Sequence, residues 1–206
     1  MKKGEKNRKI KVACVGDSIT YGTMVLNRKR NSYPSQLGQM LGHRYQVENF
    51  GINGYTMLKS AEKSYWKTKE FLESIRFVPD IVLIMLGTND SKEFNWTGMN
   101  HYLRDYHAMI EFYEKHLPGV KIFILTPATA FQLRYKKSVS FSINNTIIKR
   151  IRKALIAVSD KNKINLIDIY SATKRHPGCF WFDGVHPNGK GAGIIAEHVY
   201  RTLHSC

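Results

Sequence analysis

The chain contains little cysteine and no long hydrophobic run. Its three cysteines, Cys14, Cys179 and Cys206, are an odd number without metal-ligand spacing, so neither a disulfide framework nor a zinc site is expected. No segment approaches the ~20 apolar residues that a membrane helix requires. The apolar run at 10–15 is interrupted by a lysine and is too short for a signal peptide. We therefore expect a cytoplasmic protein without a membrane span.

Motifs for nucleotides and metals are also missing. Neither a Gly-x-Gly-x-x-Gly nor a Gly-x-x-x-x-Gly-Lys-[Ser/Thr] pattern follows the first apolar run, which argues against dinucleotide-binding and P-loop proteins. Asp168, His176, Asp183 and His186 lie within one stretch, but their spacing matches no recognised zinc pattern. We expect neither a metal nor a cofactor.

Acidic residues are only half as frequent as basic ones, at 16 against 32 in 206 residues, for a formal net charge of +16. The length is that of one domain, and we expect a basic flexible leader over 1–9 followed by a single domain over 10–206. The basic residues occur in scattered short groups, as on a solvated surface, at 2–9, 28–30, 134–137 and 149–153. A noncatalytic binder of anionic polymers is the alternative that this charge leaves open, although nucleic acid is not expected as a partner.

Strand and helix patterns alternate along the whole chain. Short apolar runs rich in β-branched residues predict strands at 10–15, 47–50, 81–86, 120–125 and 164–169. Helical spacing is present between them, at 33–41, 57–75, 99–117, 143–158 and 191–203. This alternation predicts a parallel sheet covered by helices on both sides, with ligands bound where the carboxyl ends of the strands meet.

Three residues have the chemistry of an acyl-transfer site. Ser18 directly follows the first strand, and its hydroxyl needs a base to become a nucleophile. His186 is the strongest candidate base because Asp183 lies three residues before it and can orient its imidazole. A turn that begins the last helix, with Asp183 as its cap, is the structural alternative for this pair.

An oxyanion formed by such a serine needs hydrogen-bond donors. The candidates are the backbone N–H groups of Ser18 and Gly54 and the side-chain amide of Asn89, each of which follows a different predicted strand. Turn formation is an equally compatible role for Gly54 and Asn89. For Asp17 and Asp90 we expect structural roles, with Asp17 accepting backbone hydrogen bonds in the nucleophile loop.

These blocks resemble those of the SGNH hydrolases, also called the GDSL esterase/lipase family. The resemblance lies in Gly16-Asp17-Ser18-Ile19-Thr20, Asn49-Phe50-Gly51-Ile52-Asn53-Gly54, Gly87-Thr88-Asn89-Asp90 and Asp183-Gly184-Val185-His186-Pro187. It implies a flavodoxin-like three-layer α/β/α sandwich, no cofactor, and the catalytic roles named above for Ser18, His186, Asp183, Gly54 and Asn89. Ile19 stands where the family motif has Leu, a change that affects packing more than chemistry.

The substrate has to be inferred from other residues, because the family acts on many esters. Phe94, Trp96 and Trp181 are expected near the catalytic edge, where flat rings can stack on sugars; anchoring of loops is their alternative role. The chain looks similar to bacterial carbohydrate acetylesterases. We therefore expect hydrolysis of short-chain, acetyl-type esters on a carbohydrate, with lysophospholipase or thioesterase activity as the alternative.

Overall fold

The computed structural model describes residues 8–132 and 139–205. Most of the predicted leader therefore lies outside the described residues, as do the basic group at 134–137 and Cys206. Arg8, near the end of the predicted leader, forms an ion pair with Asp80, with 2.6 Å between Nη2 and Oδ1.

Five strands form one parallel sheet in the order β2-β1-β3-β4-β5. The strands are β1 (Ile10–Gly16), β2 (Tyr45–Gly51), β3 (Ile81–Met85), β4 (Lys121–Leu125) and β5 (Asn165–Ile167). The chain leaves β1 toward β2 on one side and returns to β3 on the other side. The topological switch point, where such sheets bind ligands, therefore lies between the carboxyl ends of β1 and β3.

Eight helices accompany the strands in the described part of the chain. They are α1 (Ser18–Tyr21), α2 (Arg28–Asn31), α3 (Tyr33–Leu41), α4 (Lys69–Arg76), α5 (Met99–His116), α6 (Asn145–Asn162), α7 (Ile169–Thr173) and α8 (Gly189–Ser205). Alternate strand residues point to opposite faces, so Val82 and Ile84 pack under α4, α5 and α6. Leu83 and Met85 pack under α3 and α8. The predicted three-layer α/β/α sandwich with a five-stranded parallel sheet is confirmed.

The predicted helix over 57–75 is wrong in its first half. Met57 and Leu58 are fully buried, and their backbone N–H groups donate to the Asp90 carboxylate at 3.0 and 2.8 Å. The segment turns back on itself, and α4 begins only after Thr68, whose hydroxyl accepts from the Phe71 N–H. The apolar residues at the start of this segment are thus buried in a loop, not in a helix. The loop is held by hydrogen bonds to the carboxylate of Asp90, which is distant in sequence.

Smaller differences concern the ends of elements. The predicted strand at 164–169 is shorter because Asp168 ends it and caps α7, accepting from Ser171 N. The predicted helix at 143–158 begins two residues later because Asn144 is the N-cap of α6. No helix in the described residues is both long and apolar enough to cross a membrane.

Candidate active site

Ser18 is the first residue of the short helix α1, directly beyond the carboxyl end of β1. Asp17 caps this helix through a 2.9 Å hydrogen bond from Ile19 N to Oδ1, which confirms its predicted bracing role. The second carboxyl oxygen of Asp17 is also buried. Burial raises the pKa of Asp17 to about 6, against the opposing effect of the Ile19 hydrogen bond. The residue directly before the candidate nucleophile thus has a buried carboxyl group.

His186 joins Ser18 to Asp183 through two hydrogen bonds. Its Nε2 lies 3.0 Å from Ser18 Oγ, and its Nδ1 lies 2.7 Å from Asp183 Oδ2. Because an ionised carboxylate only accepts, Nδ1 carries the proton in the neutral imidazole and the Ser18 hydroxyl donates to Nε2. This is the tautomer that a general base next to a serine requires.

The Asp183 carboxylate also organises its own turn. Its Oδ1 accepts from the N–H groups of Val185 at 2.8 Å and His186 at 2.9 Å. Burial acts to raise the pKa of Asp183, but hydrogen bonds from the His186 ring and from these two N–H groups outweigh it, and the pKa is lowered. The structure therefore combines the two predicted roles of Asp183, as a turn cap and as the partner of the imidazole.

The second side of the site comes from the ends of β2 and β3. Gly54 has a φ of 84°, a left-handed conformation that favours glycine, and it borders the same cleft as Ser18. The Asn89 side chain is nearly buried and donates one amide hydrogen to Tyr55 O at 3.1 Å. An amide has two such hydrogens, so the other is available for a ligand in the cleft.

Neighbouring residues of the predicted blocks hold these groups in place. Asn49 donates to Thr20 O at 2.8 Å and accepts from Gly51 N at 2.9 Å, which ties α1 to the end of β2. A Cβ on Gly51 would lie 2.2 Å from Tyr21 N, so only glycine permits this approach. Asp90 supports the 57–58 loop, which confirms the structural role expected for it, and burial raises its pKa to about 7 despite the two backbone hydrogen bonds.

Ser18, Gly54, Asn89 and His186 line one cleft of about 340 Å³. The sequence did not identify most of its other walls, which are Thr23, Met24, Asn53, Lys63, Thr88, Lys92, Phe141, Ile143 and Val185. Several of these carry signals that adjoin the motifs, since Thr88 lies within the third block and Lys92 follows it closely. No comparable signal marks Phe141 or Lys63, because each comes from a loop distant from any motif.

The three aromatic residues expected at the site lie in different surroundings. Phe94 is 76% exposed and lines a second cleft that adjoins the first through Gly54, Lys63 and Lys92. Trp96 packs against the core beside Tyr102. Trp181 lines a separate cavity of about 780 Å³, which contains neither Ser18 nor His186. Of the three, Phe94 is thus the one that borders the neighbourhood of Ser18.

The described residues contain no group of three histidines, cysteines, aspartates or glutamates placed to hold a metal ion. The catalytic candidates are instead engaged with one another through hydrogen bonds. The chemistry that their arrangement supports is proton transfer from a serine hydroxyl to an imidazole, next to uncharged donors that can stabilise an oxyanion.

Known proteins similar to this chain are ester hydrolases. The chain is 33% identical to an acetylxylan esterase from Xylanibacter ruminicola over 96% of its own length and 44% of that protein. It is 25% identical to a multidomain esterase from Ruminococcus flavefaciens over 88% of its length and 27% of that protein. The chain thus spans less than half the length of these curated relatives.

The fold is also that of solved esterase structures. A carbohydrate acetylesterase from Sinorhizobium meliloti superposes with a TM-score of 0.75, at 15% identity, over 96% of this chain and 99% of the other. The model of the GDSL-like lipase/acylhydrolase family matches residues 14–194, which include Ser18, Gly54, Asn89, Asp183 and His186. The resemblance to SGNH hydrolases is therefore confirmed, and the chain belongs to the GDSL-like lipase/acylhydrolase family of carboxylic ester hydrolases.

Proposed function

We propose that this protein hydrolyses short-chain, acetyl-type esters on a carbohydrate, with Ser18 as nucleophile. The observation that carries the proposal is the pair of hydrogen bonds that joins Ser18 Oγ to His186 and His186 to Asp183. A serine hydroxyl that already donates to an imidazole can transfer its proton as it attacks an acyl carbonyl.

The reaction proceeds in two steps through an acyl-enzyme. Ser18 Oγ attacks the carbonyl carbon, and its proton moves to His186 Nε2. The tetrahedral intermediate collapses when His186 returns this proton to the leaving alcohol, and the acyl group remains on Ser18. His186 then deprotonates a water molecule as it attacks the acyl carbonyl. When this second intermediate collapses, His186 returns the proton to Ser18 Oγ, the bond between Oγ and the acyl carbon breaks, and the carboxylic acid leaves. Asp183, whose lowered pKa keeps it ionised, stabilises the imidazolium in both steps.

The carbonyl oxygen becomes negative in each tetrahedral intermediate. The Gly54 N–H, the free amide hydrogen of Asn89 and the Ser18 N–H are the proposed donors to it. Because these groups are uncharged and held by the fold, they need little reorganisation when the charge develops. The hydrogen bond from Asn89 to Tyr55 O supports this role, since it fixes the orientation of the amide.

The choice of an acetyl group and a carbohydrate rests on two further observations. The relative with 33% identity is an acetylxylan esterase, an enzyme whose name specifies an acetyl ester on a polysaccharide. The cleft around Ser18 is small, at about 340 Å³, and an exposed aromatic ring, Phe94, stands in the adjoining cleft. A small acyl group with a sugar outside it suits this arrangement.

Lysophospholipase and thioesterase activities are the alternatives within the family. A profile of p-nitrophenyl esters from acetyl to long-chain acyl groups separates them from an acetylesterase, which should prefer acetyl. The alternative of a noncatalytic polymer binder is not supported, because the family match and the relatives are ester hydrolases.

Hydrolysis of p-nitrophenyl acetate and of acetylated xylan tests the proposal. Ser18→Ala and His186→Ala should each lower kcat by at least ~1,000-fold, since the residues act as one unit. His101→Ala, which removes an exposed imidazole on α5, is the matched control and should retain full activity. Undiminished turnover in the Ser18 and His186 variants would refute the mechanism, and preference for long acyl chains would refute the substrate class.

A further inference from the structure

Two lysines from separate loops meet at the border of the catalytic cleft. Lys63 follows the buried loop at 57–58, and Lys92 follows the turn that contains Asn89. Both line the Ser18 cleft and also the adjoining cleft that contains Phe94. The Lys63 side chain passes close to the proposed oxyanion glycine, since its Cδ lies 3.8 Å from where a Cβ on Gly54 would be.

The carboxylates near Lys63 and Lys92 are not in direct contact with the two ammonium groups. Among the described residues, neither ammonium group lies within 4.0 Å of a carboxylate oxygen. Asp17 is buried and attracts Lys92 from a distance. Glu62 lines the adjoining cleft, and it forms no ion pair with any other described residue. The Lys92 ammonium also lies 5.9 Å from the centre of the exposed Phe94 ring, at the outer range of a cation–π contact.

Two nearby lysines with structural roles each contact another group of the protein. Lys59 lies over the Trp66 ring at 4.0 Å, and Lys67 donates to Ala61 O at 3.3 Å. Among the described residues, Lys63 makes no comparable contact. It repels Lys92, whose pKa is lowered chiefly by partial burial; the attraction of Asp17 opposes this shift, and the repulsion by Lys63 adds to it. Holding two like charges together beside a reaction centre costs free energy that a bound anion would recover.

We propose that Lys63 and Lys92 form an anion subsite, and that the preferred substrate is an acetyl ester of a sugar acid, whose carboxylate they bind. The inference rests on the proposed function, because an acetyl group carries no charge and the anion must then belong to the alcohol part. The formal charge of +16 acts in the same direction, since it attracts anionic substrates toward the protein.

A pair of matched esters tests this proposal. The first substrate is an acetylated methyl glucoside. The second is the methyl glucuronide acetylated at the same position, in which a carboxylate replaces the hydroxymethyl group. We expect the wild type to favour the glucuronide in kcat/KM by ~10-fold at low salt, and ~0.5 M NaCl should reduce this preference. Lys63→Gln/Lys92→Gln should bring the ratio close to one, and Lys63→Arg, which keeps the charge, should preserve it.

A second double variant controls for overall charge. Lys149→Gln/Lys153→Gln removes two exposed lysines from α6 and changes the net charge equally, and it should retain the preference. A wild-type ratio near one, a preference that Lys63→Gln/Lys92→Gln leaves intact, or an equal loss in the α6 variant would each overturn the subsite. Cleavage of p-nitrophenyl acetate without cleavage of either glycoside would also overturn it. No hydrolysis of any ester would instead refute the proposed function.

Discussion

The ring of Phe141 stands edge-on to the imidazole of His186, with 5.5 Å between ring centres and 69° between their planes. Phe141 is 56% exposed, and its φ of 60° places a bulky residue in the left-handed region. Such a conformation costs free energy and persists only where surrounding structure determines it. The ring thus forms a wall of the catalytic cleft next to the proposed base.

Removal of the Phe141 ring should lower kcat/KM, with only a small change in the free energy of unfolding. An edge-to-face aromatic contact contributes ~0.5–1.5 kcal/mol, so Phe141→Ala should lower kcat/KM for p-nitrophenyl acetate by ~2- to 10-fold. Because the side chain is more than half exposed, the free energy of unfolding should change by less than ~1 kcal/mol. Steady-state kinetics and urea unfolding measure the two effects. Leu72→Ala, at an exposed site on α4, is the control, and equal kinetics in both variants would contradict the prediction.

Loss of the Asp183 charge should impair catalysis without unfolding the site. In Asp183→Asn the amide oxygen can still accept from Val185 N and His186 N, but the amide NH₂ would face His186 Nδ1. The imidazole would then carry its proton on Nε2 and could not accept from Ser18. We expect kcat to fall by ~1,000- to 10,000-fold. Asp160→Asn, an exposed substitution on α6, should match the wild type in the same assay.

The Asn89 amide should raise kcat by stabilising the transition state. Asn89→Ala removes a proposed oxyanion donor, and we expect kcat to fall by ~100- to 1,000-fold with a smaller change in KM. Asn95→Ala removes the side chain that donates to Asn89 O at 2.9 Å and tests the loop without removing the donor. Its kcat should fall by less than ~10-fold. An equal loss in the two variants would assign the effect to loop structure.

Asp17 should make the protein less stable as the pH rises from about 4 to about 6. Its pKa is about 6 in the folded protein against an ordinary value of 3.8, so the folded state binds more protons than the unfolded state in this window. Asp17→Asn cannot ionise and retains an oxygen to accept from Ile19 N. The stability of the variant relative to the wild type should therefore increase across the window, by about 1–3 kcal/mol.

Urea unfolding at a series of pH values measures this difference. Asp160→Asn serves again as the control, because that carboxylate is exposed and its replacement should leave the pH dependence of stability unchanged. Parallel curves for Asp17→Asn and the wild type would show that burial does not perturb Asp17.

Most of the fold was predictable because its elements have local signals. The predicted helix at 33–41 matches α3 in both bounds, and all five strands were located, since buried parallel strands form short apolar runs. The predicted helix over 57–75 failed where Met57 and Leu58 are buried in a loop held by Asp90. This carboxylate is 33 and 32 positions along the chain from its two partners, and no local pattern records such a contact.

The residues of the candidate site likewise divide into those that have a local sequence signal and those that do not. Ser18, Asp183 and His186 were identifiable as candidates because they lie in two short blocks with their own turn chemistry. The fold brings these two blocks together through the 3.0 Å hydrogen bond between Ser18 and His186. The expected stacking role of Phe94, Trp96 and Trp181 stays a prediction. The surroundings of these three side chains differ because the packing of each loop determines which of its residues are exposed.

The amino-acid sequence by itself determined the layered α/β fold and identified the candidate nucleophile, base and orienting carboxylate, because periodicity and turn motifs act over a few residues. Only the tertiary structure decided which side chains enclose these groups. Phe141 and Lys63 reach the cleft from loops far apart in the chain. Hydrogen bonds between distant segments, such as the one from Asn144 N to Ser91 Oγ, hold such loops beside the cleft. Such long-range placement determines the shape and charge of the cleft, and through them the ester that the protein is proposed to select.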